Sequence, residues 1–300
     1  MHSLAALSVL LLLTLTSCNG SGGQVKAALL DGPAGPEFEA LRGAFAAANP
    51  GYDIAWHPDC TALAARDTQR VVFVQGPASR SEQPTVGDIL LLRAGEGWTA
   101  PAEASIDLLV FDVPHPIPDA LPSIVRPDWD PRITDTPGGC AEETGAYRRI
   151  LLTWLEEKGP YVLHALNAHR VRITDSFSHY HPVEGGFDEL YLVQMSRPGA
   201  RVLTSERVPE IEERSIGADE VDGLLQSTEL EVGHLVYLPR GTMHRGVGGA
   251  LVQVISVPGF VPNSEIGLDH HLRAINERLG LAGDEALPFH EAASHGAVVK

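Results

Sequence analysis

The sequence predicts an all-β dominated fold with a few peripheral helices. Short apolar runs rich in Val, Ile and Leu recur at residues 71–74, 88–92 and 106–113. Strand-like segments then dominate residues 161–257. The 30 glycines and 22 prolines supply the turns that many short strands need. A chain of 300 residues with 44% hydrophobic content can bury a sizeable core, as one large or two ordinary domains.

Residues 1–18 read as a signal segment outside the fold. The apolar run 4–15 is short for a membrane span and suits a signal-peptide core. It ends in Leu15-Thr16-Ser17-Cys18, which resembles a bacterial lipobox. That resemblance implies lipidation at Cys18 and a location in the cell envelope, lipid-anchored or exported, with the membrane touched only through the N-terminal lipid. Met1-His2-Ser3 carries no Lys or Arg, so a cleaved signal without lipid and a misplaced start remain alternatives. Residues 19–35 read as a flexible tether. Residues 36–113 form a first unit, opened by a helix at 37–48 that Asn49-Pro50-Gly51 stops. Residues 114–140 read as a Pro/Gly-rich linker. Tyr147, Ile150, Leu151, Trp154 and Leu155 recur at helical spacing, so 141–157 is expected to be a helix. It opens a second unit, 141–282, with another helix near 264–279. The tail 283–300 is expected to fray.

The net charge of −17 argues against nucleic acid and against electrostatic docking on anionic lipid. Most of the carboxylates read as a solvated surface. Cys60 and Cys140 could pair in an exported protein, and sequence leaves that open.

Two clusters carry the chemistry. The first is His179-Tyr180-His181, followed by Asp188-Glu189-Leu190-Tyr191-Leu192-Val193. Residues two apart on a strand share a face, so His179 and His181 can reach one ion. The second runs from Gly233 through Pro239 and Gly241 to His244, where a turn can return a ring to the same point. Three imidazoles and a carboxylate suit one divalent ion: Fe(II), Mn(II), Ni(II) or Zn(II). His270, His271, His290 and His295 read as solvated, and His164 and His169 as packing or capping residues.

At these residues the chain resembles the cupin superfamily. Gly233 to His244 matches the family's second motif, G-x5-P-x-G-x2-H, at every fixed position. The first motif, H-x-H-x3,4-E, is met with a departure: residues 182–188 separate His181 from Glu189. A turn lengthened by about three residues accounts for this. Glu189, on the strand, is favoured over Glu184, in the Gly-rich turn. The resemblance covers residues 165–260 and implies a jelly-roll barrel with His179, His181, Glu189 and His244 as metal ligands. Tyr191 shares the parity of Glu189, so it should face the interior, as a catalytic hydrogen-bond donor or as a packed aromatic.

A degenerate repeat is visible upstream. Gly87 and Gly95 have the spacing of Gly233 and Gly241, with Arg93 in place of Pro239 and Trp98 in place of His244. The same alignment puts Arg70 opposite Glu189 and Cys60 opposite His179. It implies a second barrel that has lost its metal ligands. Four protein donors would leave two positions of an octahedral ion open. The expected function is an oxygen-dependent enzyme, of dioxygenase or oxidase type, acting on a small organic molecule. The alternatives are a non-catalytic surface lipoprotein that binds a small ligand or metal, and an isomerase or decarboxylase. A homodimer is left open.

Overall fold

The structure, a computed structural model, describes residues 23–76, 84–101, 104–136, 138 and 147–300. Its first half contains β1 (Lys26–Leu29), α1 (Pro36–Ala48), β2 (Asp53–Cys60), β3 (Ala62–Leu63) and β4 (Gln69–Gly76). β5 (Ile89–Leu92), β6 (Trp98–Thr99), β7 (Ile106–Val113) and β8 (Ile124–Val125) follow. The second half contains β9 (Arg148–Leu152), β10 (Asn167–Asp175), β11 (His179–Tyr180), β12 (Asp188–Ser196) and β13 (Arg201–Ser205). It ends with α2 (Val208–Glu212), β14 (Gln226–Glu229), β15 (His234–Leu238), β16 (Met243–Val257), β17 (Ile266–Gly267) and α3 (Asp269–Leu279).

The large sheet runs β1-β15-β12-β16-β10-β9, with β11, β13, β14 and β17 attached around it. The first half forms the sheet β2-β7-β4-β5-β8 and a small β3-β6 pair. The named strands pair antiparallel throughout, and the fold is β-dominated with a few helices, as expected from the sequence.

Strand parity divides the interior. Along β12, Leu190 and Leu192 face a core shared with the first half, while Tyr191 and Val193 face a separate interior with Val171, Val236, Val252 and Val254. The shared core also takes Phe38, Leu41 and Phe45 of α1 and Val71, Phe73 and Phe111 of the five-stranded sheet. Phe45 is its keystone. Its ring meets Tyr52, Phe111 and Tyr237 edge-on, at centroid distances of 6.5, 5.8 and 5.9 Å.

The two sheets carry matching local geometry at the aligned glycines. Gly87 (φ 98°) donates to the Val74 carbonyl at 3.0 Å, and Gly233 (φ 90°) donates to the Val193 carbonyl at 3.0 Å. A positive φ is a conformation glycine adopts without cost. Arg70 pairs with Leu92 as Glu189 pairs with Leu238. The alignment fails at Cys60, which pairs with Ile106 beyond an irregularity in β2. Leu63 pairs with Trp98 as His179 pairs with His244, so Leu63 holds the register that spacing alone assigns to Cys60. The shift between His57 and Cys60 leaves no trace in spacing.

Other expectations need correction. The helix expected at 141–157 is a strand at Arg148–Leu152, and residues 139–146 lie outside the described set. Its apolar residues fill a ladder beside β10, so tertiary pairing overrides the helical period. The tether 19–35 is not free throughout, because β1 pairs with β15. The linker 114–140 contributes β8 to the five-stranded sheet. The tail from Gly283 packs down: Leu287 and Ala293 are buried, and Glu265 and Lys300 exchange backbone hydrogen bonds at 3.0 Å. His290 is buried rather than solvated, and its N–H donates to Asp269 at 2.8 Å. Residues 1–22, with the signal segment and Cys18, lie outside the described residues, as does Cys140. Buried Cys60 directs its thiol to the Ala62 carbonyl at 3.3 Å. No helix among the described residues is long and apolar enough to cross a membrane.

Because Phe45 joins helix and both sheets, Phe45→Ala should lower the unfolding free energy by about 3–5 kcal/mol. Urea unfolding checks this, and a loss under about 1 kcal/mol would show that the sheets do not depend on that ring.

Candidate metal centre

The site is built where β11, β12 and β16 meet. His179 on β11 is paired with His244 on β16, and Glu189 on β12 lies opposite Ser256. His181 follows β11 directly. Its carbonyl accepts from Gly241 N–H at 2.6 Å, which fastens the first motif to the turn of the second. All four residues are buried, between 1% and 4% exposed.

Each imidazole is oriented through Nδ1. His179 contacts the Phe177 carbonyl at 3.1 Å, His181 the Phe187 carbonyl at 3.1 Å and His244 the Thr242 carbonyl at 3.3 Å. A carbonyl only accepts, so each ring donates from Nδ1 and keeps its lone pair on Nε2. His181 Nε2 and His244 Nε2 are buried without a hydrogen-bond partner. His244 Nε2 lies 3.3 Å from Glu189 Oε2, outside hydrogen-bond geometry. Two buried, unpaired lone pairs beside a buried carboxylate are costly unless a cation completes them.

The donor atoms of His179, His181, Glu189 and His244 all lie within 4.8 Å of one another. Donors on opposite sides of one ion are about 4 Å apart when bonds are near 2 Å. The group thus fits a single divalent ion. Burial, with the neighbouring His244, holds His179 and His181 well below the ordinary imidazole range, which keeps them neutral as ligation requires.

The structure brings the four expected ligands together and leaves Glu184 exposed on the turn. Tyr191 faces the interior, with its ring 6.3 Å from that of His244 and nearly perpendicular to it. Sequence reasoning missed the rings that pack the ligands. Phe177 stacks on His179 at 4.3 Å and Phe187 on His181 at 3.8 Å. The adjacent cavity was also missed. It measures about 380 Å³ and is lined by Ser256, Asn167, His169, Arg148, Glu265 and Lys300, among others. Ser256 is the cross-strand partner of Glu189, so the cavity abuts the ligand strand. Burial, with the Glu189 charge adding to it, pushes Glu265 up to about 7. His169 lies in this wall, and desolvation, with Arg148 adding to it, holds it well below its usual range. These groups come from β9, β10, β16, the segment before β17 and the C-terminus, so no short spacing marks them.

No family model and no curated protein matches the chain. Among solved structures it is similar to a Bacillus subtilis oxalate decarboxylase with Mn(II) centres, at 12% identity over 93% of this chain and 85% of that one, with a TM-score of 0.49. It is also similar to the Lactobacillus farciminis oxalate decarboxylase formate complex, at 14% identity over 79% and 86%, TM-score 0.46. A third is a mutant of the salicylate 1,2-dioxygenase from Pseudoaminobacter salicylatoxidans, at 12% identity over 78% and 73%, TM-score 0.40. At these values the likeness assigns no activity.

Metal content of the purified protein should fall sharply in His181→Ala and His244→Ala. Glu189→Gln should lose far more metal than Glu184→Gln. Unchanged stoichiometry in both histidine variants would remove the site.

Proposed function

We propose that the protein is a metal-dependent enzyme acting on a small organic acid, with dioxygen as co-substrate. The observation that carries this reading is the set of Nδ1-anchored imidazoles around Glu189, with a nearby cavity whose wall holds Arg148, Lys300 and Ser256, the cross-strand partner of Glu189. An ion held by these four donors supplies Lewis acidity and open coordination positions. The chain's own residues do the rest. Arg148 and Lys300 in the cavity wall provide positive charge for a carboxylate. The buried Arg148 Nε has no hydrogen-bond partner, which suits a group awaiting an anion. Ile150, Leu152 and Phe260 in the same wall exclude water from the bound molecule. Tyr191 packs beside His244 and would orient it.

Glu265 favours a second reading. A buried carboxyl in the wall of the cavity is placed to hold or move a proton, as an isomerase or decarboxylase would need. On either reading the first half is a second barrel without a metal. Leu63, Arg70 and Trp98 then stand where His179, Glu189 and His244 stand, and none of the three can ligate a divalent cation.

Oxygen consumption by metal-loaded protein, screened over small carboxylic acids and catechols, tests the first reading. The expected outcome is turnover with at least one acid and its loss in Arg148→Gln. Substrate loss without oxygen uptake would favour proton chemistry, and metal-dependent melting with no turnover would favour a binding protein.

The location is a separate inference from the sequence alone: Cys18 as a lipidated N-terminus outside the cytoplasm. The protein should then fractionate with membranes and leave with detergent, and Cys18→Ser should change this. Recovery of a soluble chain with Met1 intact would refute it.

A further inference from the structure

The cavity beside the candidate ligands holds charges of both signs. Strand pairing sets one of its walls. Asn167 on β10 lies opposite Ser256 on β16, and Ser256 lies opposite Glu189 on β12. Cross-strand partners share a face of the sheet, so Asn167, Ser256 and Glu189 form one row. Asn167 and Ser256 line the cavity. Asn167 is 7% exposed, and its Oδ1 has no hydrogen-bond partner. A buried acceptor left unpaired is costly, and a donor that enters the cavity removes that cost.

Glu265 lines the same cavity and is 7% exposed. Arg148 lines it too, with its Nε buried and unpartnered. Arg148 stabilises the Glu265 carboxylate from a distance, without an ion pair between them, while Glu189 adds negative charge beside it. A cation is therefore favoured at Glu265 and an anion at Arg148. A neutral hydroxyl on the ligand has one proton and no charge to offer Glu265. An ammonium has three protons and a charge, so it can serve Glu265 and Asn167 Oδ1 together. Ile150, Leu152 and Phe260 make the apolar part of the wall. At about 380 Å³ the space suits one small molecule.

We infer that this cavity takes a free α-amino acid with an apolar side chain. Its carboxylate meets Arg148, its ammonium meets Glu265 and Asn167 Oδ1, and Ile150, Leu152 and Phe260 cover the side chain. This names a substrate class and rests on the reading of the cavity as the substrate site. Glu265 then serves as a counter-charge to the ammonium.

Isothermal titration of the full-length protein with L-leucine, isocaproate and isoamylamine tests it. Isocaproate lacks the ammonium, and isoamylamine lacks the carboxylate. L-leucine should bind, with each partial analogue at least about tenfold weaker. Glu265→Gln should weaken L-leucine at least about tenfold and leave isocaproate unchanged or tighter. Arg148→Gln should weaken both. If Glu265→Gln does not fold, Asn167→Leu decides, since it keeps the side-chain size and removes an acceptor that has no partner. L-leucine binding should then fall at an unchanged melting temperature. No L-leucine heat in the wild type, isocaproate binding as tightly as L-leucine, or full L-leucine affinity in the variant that folds would overturn the inference. Such a failure leaves the oxygen-dependent reading intact, because oxygen uptake with other acids decides that one. L-leucine binding with this pattern but no uptake with any acid would overturn the activity and keep the amino-acid site.

Discussion

Asp188 has no solvent exposure, and its carboxylate accepts from Asn49 Nδ2 at 2.6 Å, Tyr237 OH at 2.8 Å, and Arg240 N and Nε at 2.9 and 2.8 Å. Arg240 Nη2 closes the ring onto Asn49 Oδ1 at 2.7 Å. A buried carboxylate is tolerable only when its lone pairs are filled, and these donors fill them. The partners come from distant parts of the chain. Asn49 caps α1, Tyr237 belongs to β15, and Arg240 begins the turn that leads to His244. Asp188 itself precedes Glu189. One desolvated charge therefore fixes the first helix, the ligand strand and the turn of the second motif against one another. Gly241, next to Arg240, then takes the His181 carbonyl. The candidate ligands Glu189, His181 and His244 are thus tied to one supporting network, which is how a site acquires its geometry from its surrounding contacts.

A second polar network joins the halves. Arg170 donates to Gln194 at 2.8 Å and to Asp128 at 2.6 Å; Gln194 donates to Gln253 at 2.9 Å, and Gln253 to the Gly87 carbonyl at 3.1 Å. Gln75 adds a bond to the Val193 carbonyl at 2.7 Å. Apolar packing around Phe45 also joins the halves, but apolar contact alone would tolerate sliding. Buried hydrogen-bonded amides do not, because each loses its partner on a one-residue slip.

The parts of this molecule that were legible in the sequence are those set by short-range spacing. The ligand set was readable because a two-residue interval and a Gly-Pro-Gly frame each have a local geometric meaning. The strands at 71–74, 88–92 and 106–113 were readable from apolar runs bounded by turns. What failed depended on distant partners. Residues 147–155 carry a helical period, yet β10 offers residues 148–152 a ladder that a helix could not complete. The tail looked polar, yet Asp269 holds both the His290 and Ser178 N–H groups at 2.8 Å and so pins it beside β11. Cys60 was assigned the wrong partner because the irregularity in β2 shifts the register without leaving any mark in composition. The cavity beside the ligands belongs to the same class, since its charged walls come from four separate segments.

Strand parity explains how one scaffold carries both a shared core and a chemical site. On β12, every second residue is committed to the core around Phe45, and the residues between are released from that duty. The same division holds on β4, where Val71 and Phe73 pack into the shared core and Arg70, Val72 and Val74 face inward. Substitution on the inward face thus leaves the contact between the halves intact. Glu189 and Arg70 occupy matching registers with opposite charge, and both are buried at little cost to that outer core. Packing constrains one parity of each strand, and the other is left free to carry charged side chains.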